Sequence, residues 1–191
     1  YDCIGKTNQP RLTICFEFES EKEPFYENKE GLNFDRKKQK LIADQFKILV
    51  FEKSNCKEKR FFNFFNKQKA PKYKLGNILI VYSAFAPIAK IEANQKITPP
   101  QLTLLKSQID NPDIWEISSG FSGVTFFVYS DEQMKKYENS EQRKYWADQY
   151  FNLLAPNNEF AYYQRDSFSI YLDSKENFDK NFQSNWYYYY K

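Results

Sequence analysis

The chain has 191 residues, 41% hydrophobic and 19% aromatic, with 28 Lys and Arg set against 25 Asp and Glu for a net charge of +3. That is enough apolar material for a core and too mixed in sign for a polyelectrolyte, which excludes a mostly disordered chain. With no apolar run of ~18 residues a membrane-spanning helix is excluded, and with no histidine so are imidazole-based triads, histidine-ligated zinc and two-histidine iron sites.

The chain opens at Tyr1 rather than Met, which fits a processed product. Leu12, Ile14, Phe16 and Phe18 alternate with Thr13, Cys15, Glu17 and Glu19, a half-buried strand between Pro10 and the charged run ESEKEPFYENKEG. This alternation puts Cys15 on the far strand face, whereas Cys3 and Cys56 fall in expected loops and are the disulfide candidates; that bond would favour export, periplasmic or extracellular, over the cytoplasm. The stretch DRKKQKLIADQFKILVFEKS reads as a charged segment leading into a second strand at Phe46, Ile48 and Val50.

From Lys57 to Lys74, KEKRFFNFFNKQKAPKYK concentrates seven positive charges against Glu58 and interleaves them with Phe pairs. Basic grooves with stacking rings bind single-stranded nucleic acid, with Lys67 and Lys69 as the candidate contacts. Against this, the chain carries 23 Lys but 5 Arg, together with 16 Asn, the signature of AT-rich codons, and Arg is the better phosphate fork. Phe61, Phe64 and Phe65 also have the spacing expected of an ordinary helical core stripe. Nucleic acid is therefore not the expected partner.

LGNILIVYSAFAPIAKIE is a near-continuous apolar run expected to form the central strand, bending at Pro87. Thr98, followed by Pro99, Pro100 and Gln101, caps a helix carrying Leu102, Leu105 and Ile109. DIWEISSGFSGVTFFVYSD predicts two strands around a Gly120 to Gly123 turn, and Ser130 with Gln133 caps a further helix. Trp146, Tyr150, Leu153 and Leu154 share one helical face ahead of Pro156. FAYYQRDSFSIYLDS predicts a last strand or hairpin, and Phe178, Phe182 and Trp186 predict one terminal helix running into YYYYK. No internal repeat is visible.

Neither GxxxxGK[ST] nor GxGxxG occurs, no C-x-x-C spacing exists, and Ser122 in GFSG lacks the spacing and the base of a nucleophile elbow. No cofactor and no metal are implied. Asp113, Glu116, Asp131 and Glu132 could supply a carboxylate acid and base pair, although carboxylates at helix starts and strand ends are commonly caps. The expectation is one α+β domain over residues 1–191, with an antiparallel or mixed sheet of five to seven strands and helices packed on one face. The expected function is non-catalytic protein binding, of the kind small bacterial inhibitor and immunity proteins exert on a partner enzyme. The alternatives are a carboxylate-based hydrolase and a nucleic-acid-binding module. Tyr187, Tyr188, Tyr189 and Tyr190 offer more aromatic surface than one stripe can bury and are the candidate binding residues. The oligomeric state does not follow from the sequence.

Overall fold

Strand β1 (Asp2–Ile4) folds back on β2 (Gln9–Phe16) through a turn in which Gly5 and Asn8 both take positive φ, the conformation that glycine and asparagine tolerate best. The computed structural model describes residues 1–28, 33–57 and 73–191, with 54–57 as backbone only. These residues fall into two compact units, Tyr1–Phe85 and Ala86–Lys191.

In the first unit β2 is the middle strand, antiparallel to β1 and parallel to β3 (Leu79–Ala84). The crossover between them carries a 3-10 stretch, Glu19–Phe25, and helix α1 (Arg36–Lys57). The alternation read from the sequence holds within β2, where Leu12, Ile14 and Phe16 join the core with Ile80 and Tyr82 while Thr13 and Cys15 are exposed, but not at Phe18, which lies beyond the strand and is 47% exposed. The strand expected at Phe46, Ile48 and Val50 is instead part of α1. Asp35 caps its first turn, its Oδ1 accepting from the Lys37 and Lys38 N–H groups at 2.8 and 3.2 Å. Ile42, Ala43 and Phe46 then meet the sheet at helical spacing, leaving Ile48 in solvent.

The apolar run expected as one central strand is likewise divided. It forms β3, which lies at the edge of its sheet, and then turns without a spacer into α2 (Phe85–Gln95), whose first turn accommodates Pro87.

The second unit continues with α3 (Pro99–Ile109), β4 (Ile114–Gly120), β5 (Gly123–Val128), α4 (Asp131–Tyr137), α5 (Glu141–Leu154), β6 (Tyr171–Ser174), α6 (Lys175–Phe182) and α7 (Trp186–Tyr189). The helix caps form as read: Gln101 Oε1 accepts from the Thr98 backbone N–H at 2.9 Å, and Ser130 and Gln133 exchange bonds at 3.2 and 3.0 Å. Ser122 lies in the two-residue turn of the β4–β5 hairpin. The terminal helix expected as one piece breaks at Gln183 and Ser184, both at positive φ.

The sheet prediction needs correction. Six strands form among the described residues, but they make two three-stranded sheets rather than one. Helices do not keep to one face either. In β5, Val124, Phe126 and Val128 point into a core with Trp146, Tyr150 and Leu154 of α5, while Phe127 points the other way, to Phe178 of α6 and to α7.

The two sheets repeat one topology. In each, a hairpin supplies the first two strands, the second is central, and the third returns parallel to it and runs directly into a helix. The last residue of the middle strand pairs with the last residue of the third, Phe16 with Ala84 and Val128 with Ser174. Two residues further on, a cap residue has its N–H held by a side chain three positions later: Phe18 by Glu21 at 2.7 Å, Ser130 by Gln133 at 3.0 Å. The repeat is absent from the sequence pattern because the crossovers differ and the shared feature is backbone pairing.

A buried polar hub fixes the β4–β5 turn. Asn94 of α2 donates to the carbonyls of Phe121 and Gly123 at 3.0 and 2.9 Å and accepts from the Tyr150 hydroxyl at 2.6 Å. Tyr163 donates to the Ser122 carbonyl at 2.6 Å and lies 3.1 Å from that of Lys90. Tight turns need their carbonyls paired, and these side chains do it.

Candidate protein-binding face

The C-terminal aromatic residues divide by helical spacing. Ser174 accepts the Asn177 N–H at 2.8 Å to start α6, and Asn185 accepts the Tyr187 N–H at 2.9 Å to start α7. In that single turn Trp186, Tyr189 and Tyr190 stand at i, i+3 and i+4, so they share a face, and Tyr187 and Tyr188 point elsewhere.

The shared face is a roof over the outer side of the β4–β5–β6 sheet. Trp186 stacks on Trp115 with centroids 6.1 Å apart and planes 6° apart, and meets Phe178 at 4.3 Å. Tyr189 stands edge-on to Phe127 at 5.1 Å and donates to Asp173 at 2.7 Å. The Tyr190 hydroxyl bonds that of Ser118 at 2.6 Å, and its ring fills the space above Gly120, where a Cβ would come within 2.6 Å. Burial, and then the Asp173 carboxylate, push the Tyr189 phenol well above its ordinary range; burial raises Tyr190, against the opposing Ser118 bond.

Tyr187 and Tyr188 remain outside, 68% and 47% exposed, their rings 5.7 Å apart, with Lys191 Nζ 5.9 Å from the Tyr187 centroid. Tyr171 extends the same side of the sheet. It shares a strand face with Asp173, which meets the roof; its ring lies over Gly123, and it is 67% exposed. Sequence reasoning missed Tyr171, though its alternation with Ile170 and Leu172 carried the signal.

The other candidates are placed as follows. Lys67 and Lys69 lie outside the described residues. Cys3 is an exposed free thiol on β1 rather than in a loop; Cys56 falls in the last turn of α1, with its side chain outside the described residues. Three of the four candidate carboxylates accept hydrogen bonds within the fold. Asp113 accepts from Tyr137 at 2.6 Å, Gln133 at 2.9 Å and Lys136 at 3.2 Å, and these bonds, the Tyr137 bond foremost, hold its pKa below the usual carboxylate range. Asp131 accepts the Ser174 hydroxyl, joining α4 to β6, and Glu116 accepts the Ile117 N–H at 3.0 Å.

A groove of about 300 Å³ runs between α5 and residues 168–170, but the Arg143 guanidinium beside it is spent on the carbonyls of Ile170 and Glu138. Among the described residues no group of three or more Cys, Asp or Glu is arranged to hold a metal, and no helix is long and apolar enough to cross a membrane. Comparison with family models, curated proteins and solved structures finds no match to this chain.

Proposed function

We propose that this chain is a non-catalytic protein-binding protein, of the inhibitor or immunity type, that grips a partner enzyme through Tyr187 and Tyr188. The observation that carries the reading is the division of labour in α7. Trp186 and Tyr189 of this turn and Tyr190, which caps it, are committed to the sheet by stacking and two hydroxyl bonds, which fixes the backbone that presents Tyr187 and Tyr188 to solvent. Rigid tyrosines on a fixed base lose little entropy on binding and keep their hydroxyls wetted, the properties of interface anchors. Tyr171, exposed on the outer side of the same sheet, adds a further exposed ring.

The test is the double substitution Tyr187→Ala/Tyr188→Ala. With both rings outside the core, melting temperature should stay within a degree or two. A partner retained by the wild-type protein from its native source, identified by mass spectrometry, should be lost by the variant, with inhibition of that partner lost in parallel. Equal retention by both proteins refutes the assignment of the face, and absence of any retained partner refutes the function.

A further inference from the structure

The tip of the β4–β5 hairpin carries a residue that neither the turn nor the core asks for. Phe121 takes a φ of 48°, the side of backbone space where glycine is at ease and a bulky residue is strained, and its side chain is 65% exposed. Glycine stands at both ends of the same turn, as Gly120 and Gly123, yet not at the position whose φ favours it. A strained backbone persists where its surroundings hold it, and here they do. Asn94 donates to the Phe121 and Gly123 carbonyls at 3.0 and 2.9 Å, and Tyr163 donates to that of Ser122 at 2.6 Å. Neither the strain nor the exposed ring stabilises the fold, so the use of this residue lies outside it. We propose that Phe121 is an anchor that enters an apolar pocket on the partner protein, a proposal that rests on the protein-binding reading above and adds a second contact to it.

The hydrogen bonds of the turn choose the chemistry of that pocket. Three successive carbonyls, from Phe121 to Gly123, are turned inward and paired, so the tip offers a phenyl ring and no free turn carbonyl. A concave apolar site complements such a ring, because a polar one would lose its water without gaining a bond. The preset turn also spares the complex the entropy of ordering a loop. Position links the tip to the tyrosines. The ring of Tyr190, which caps α7, fills the space above Gly120, next in the chain to Phe121. Through that contact Phe121 lies within about 20 Å of Tyr188, inside the span of a standard interface of ~800 Å² per partner. One partner therefore covers the tip and the two tyrosines together.

The partner recovered by the wild-type protein, immobilised, is titrated with the full chain and its variants, and tryptophan fluorescence in urea follows each fold. Phe121→Gly relieves the strain and removes the ring, so its urea midpoint should hold or rise while its affinity falls about tenfold or more. Phe121→Leu keeps an apolar side chain at the same place and should recover most of that affinity. A midpoint that falls for Phe121→Gly would place the ring within the packed fold, and undiminished affinity, or a leucine no better than glycine, would remove the apolar pocket; each overturns the inference. Tyr187→Ala/Tyr188→Ala separates it from the reading beneath. Binding lost there but kept by Phe121→Gly strikes the anchor alone, whereas a wild-type protein that retains no partner strikes both.

Discussion

Replacing Asn94 with alanine removes three hydrogen bonds in one step, and the structure sets the size of the effect. Asn94 is 2% exposed, and the substitution leaves the Tyr150 hydroxyl, fully buried on α5, and the Phe121 and Gly123 carbonyls without partners. An unpaired buried group costs about 1–3 kcal/mol, and the small cavity adds to it. The two carbonyls lie in a turn whose Phe121 side chain is exposed, so water can reach them in part and the upper bound falls. The expected loss is about 2–4 kcal/mol. Tyr150→Phe breaks one bond and keeps the ring, for about 1–2 kcal/mol, and the two changes should combine to less than their sum because they share that bond. All three tryptophans, Trp115, Trp146 and Trp186, lie in Ala86–Lys191, so tryptophan fluorescence in urea reports this unit alone. An Asn94→Ala variant within about 0.5 kcal/mol of wild type at an unchanged urea slope would refute the hub as a stabilising element.

Tyr82, 6% exposed in the first unit's aromatic cluster, has a hydroxyl with no hydrogen-bond partner among the described residues, so Tyr82→Phe should leave stability unchanged or raise it by about 1 kcal/mol; a clear loss in thermal melting would contradict the unpaired state. Burial lifts the Tyr163 phenol to about 12 and lifts Tyr150 and Tyr189 as well. The unfolded chain releases these protons near pH ~10 while the fold retains them, so their contribution is intact below that pH and is lost as pH rises toward the folded values. Urea midpoints should therefore fall across that window, with tyrosinate absorbance appearing on unfolding; a flat profile would count against burial of these phenols. Gly120→Ala places a methyl group on the Tyr190 ring and should cost about 1–3 kcal/mol, most of it recovered in a Tyr190→Ala background, which differential scanning of the four-protein set will reveal.

The elements legible in the sequence were those specified by local chemistry. Thr98 with Gln101, Ser130 with Gln133, and the Gly120 to Gly123 turn are short-range devices whose partners lie within three residues, and they form as read. Helix α1 was illegible because its apolar residues lie on both sides: Phe46, Ile48 and Val50 alternate as a strand would, and only the sheet beneath Phe46 selects the helical reading. The division into two sheets was hidden for a related reason. A parallel strand partner is chosen across a long crossover, and nothing local in Leu79–Ala84 or Tyr171–Ser174 names β2 or β5 as the neighbour.

The aromatic terminus was half legible. Its composition required some of Tyr187 to Tyr190 to be exposed, but which ones depends on a helix break that the spacing of Phe178, Phe182 and Trp186 concealed. That spacing predicts continuation, whereas Gln183 and Ser184 turn left-handed and reset the phase of α7. The reset decides how the site can be tested. Deleting Tyr187 to Lys191 would remove the Tyr189–Asp173 and Tyr190–Ser118 bonds together with the exposed rings, so lost binding and lost stability would arrive together. Substituting Tyr187 and Tyr188 alone leaves both bonds and the Trp186 stack in place, and a binding defect in that variant can only come from the rings that face solvent.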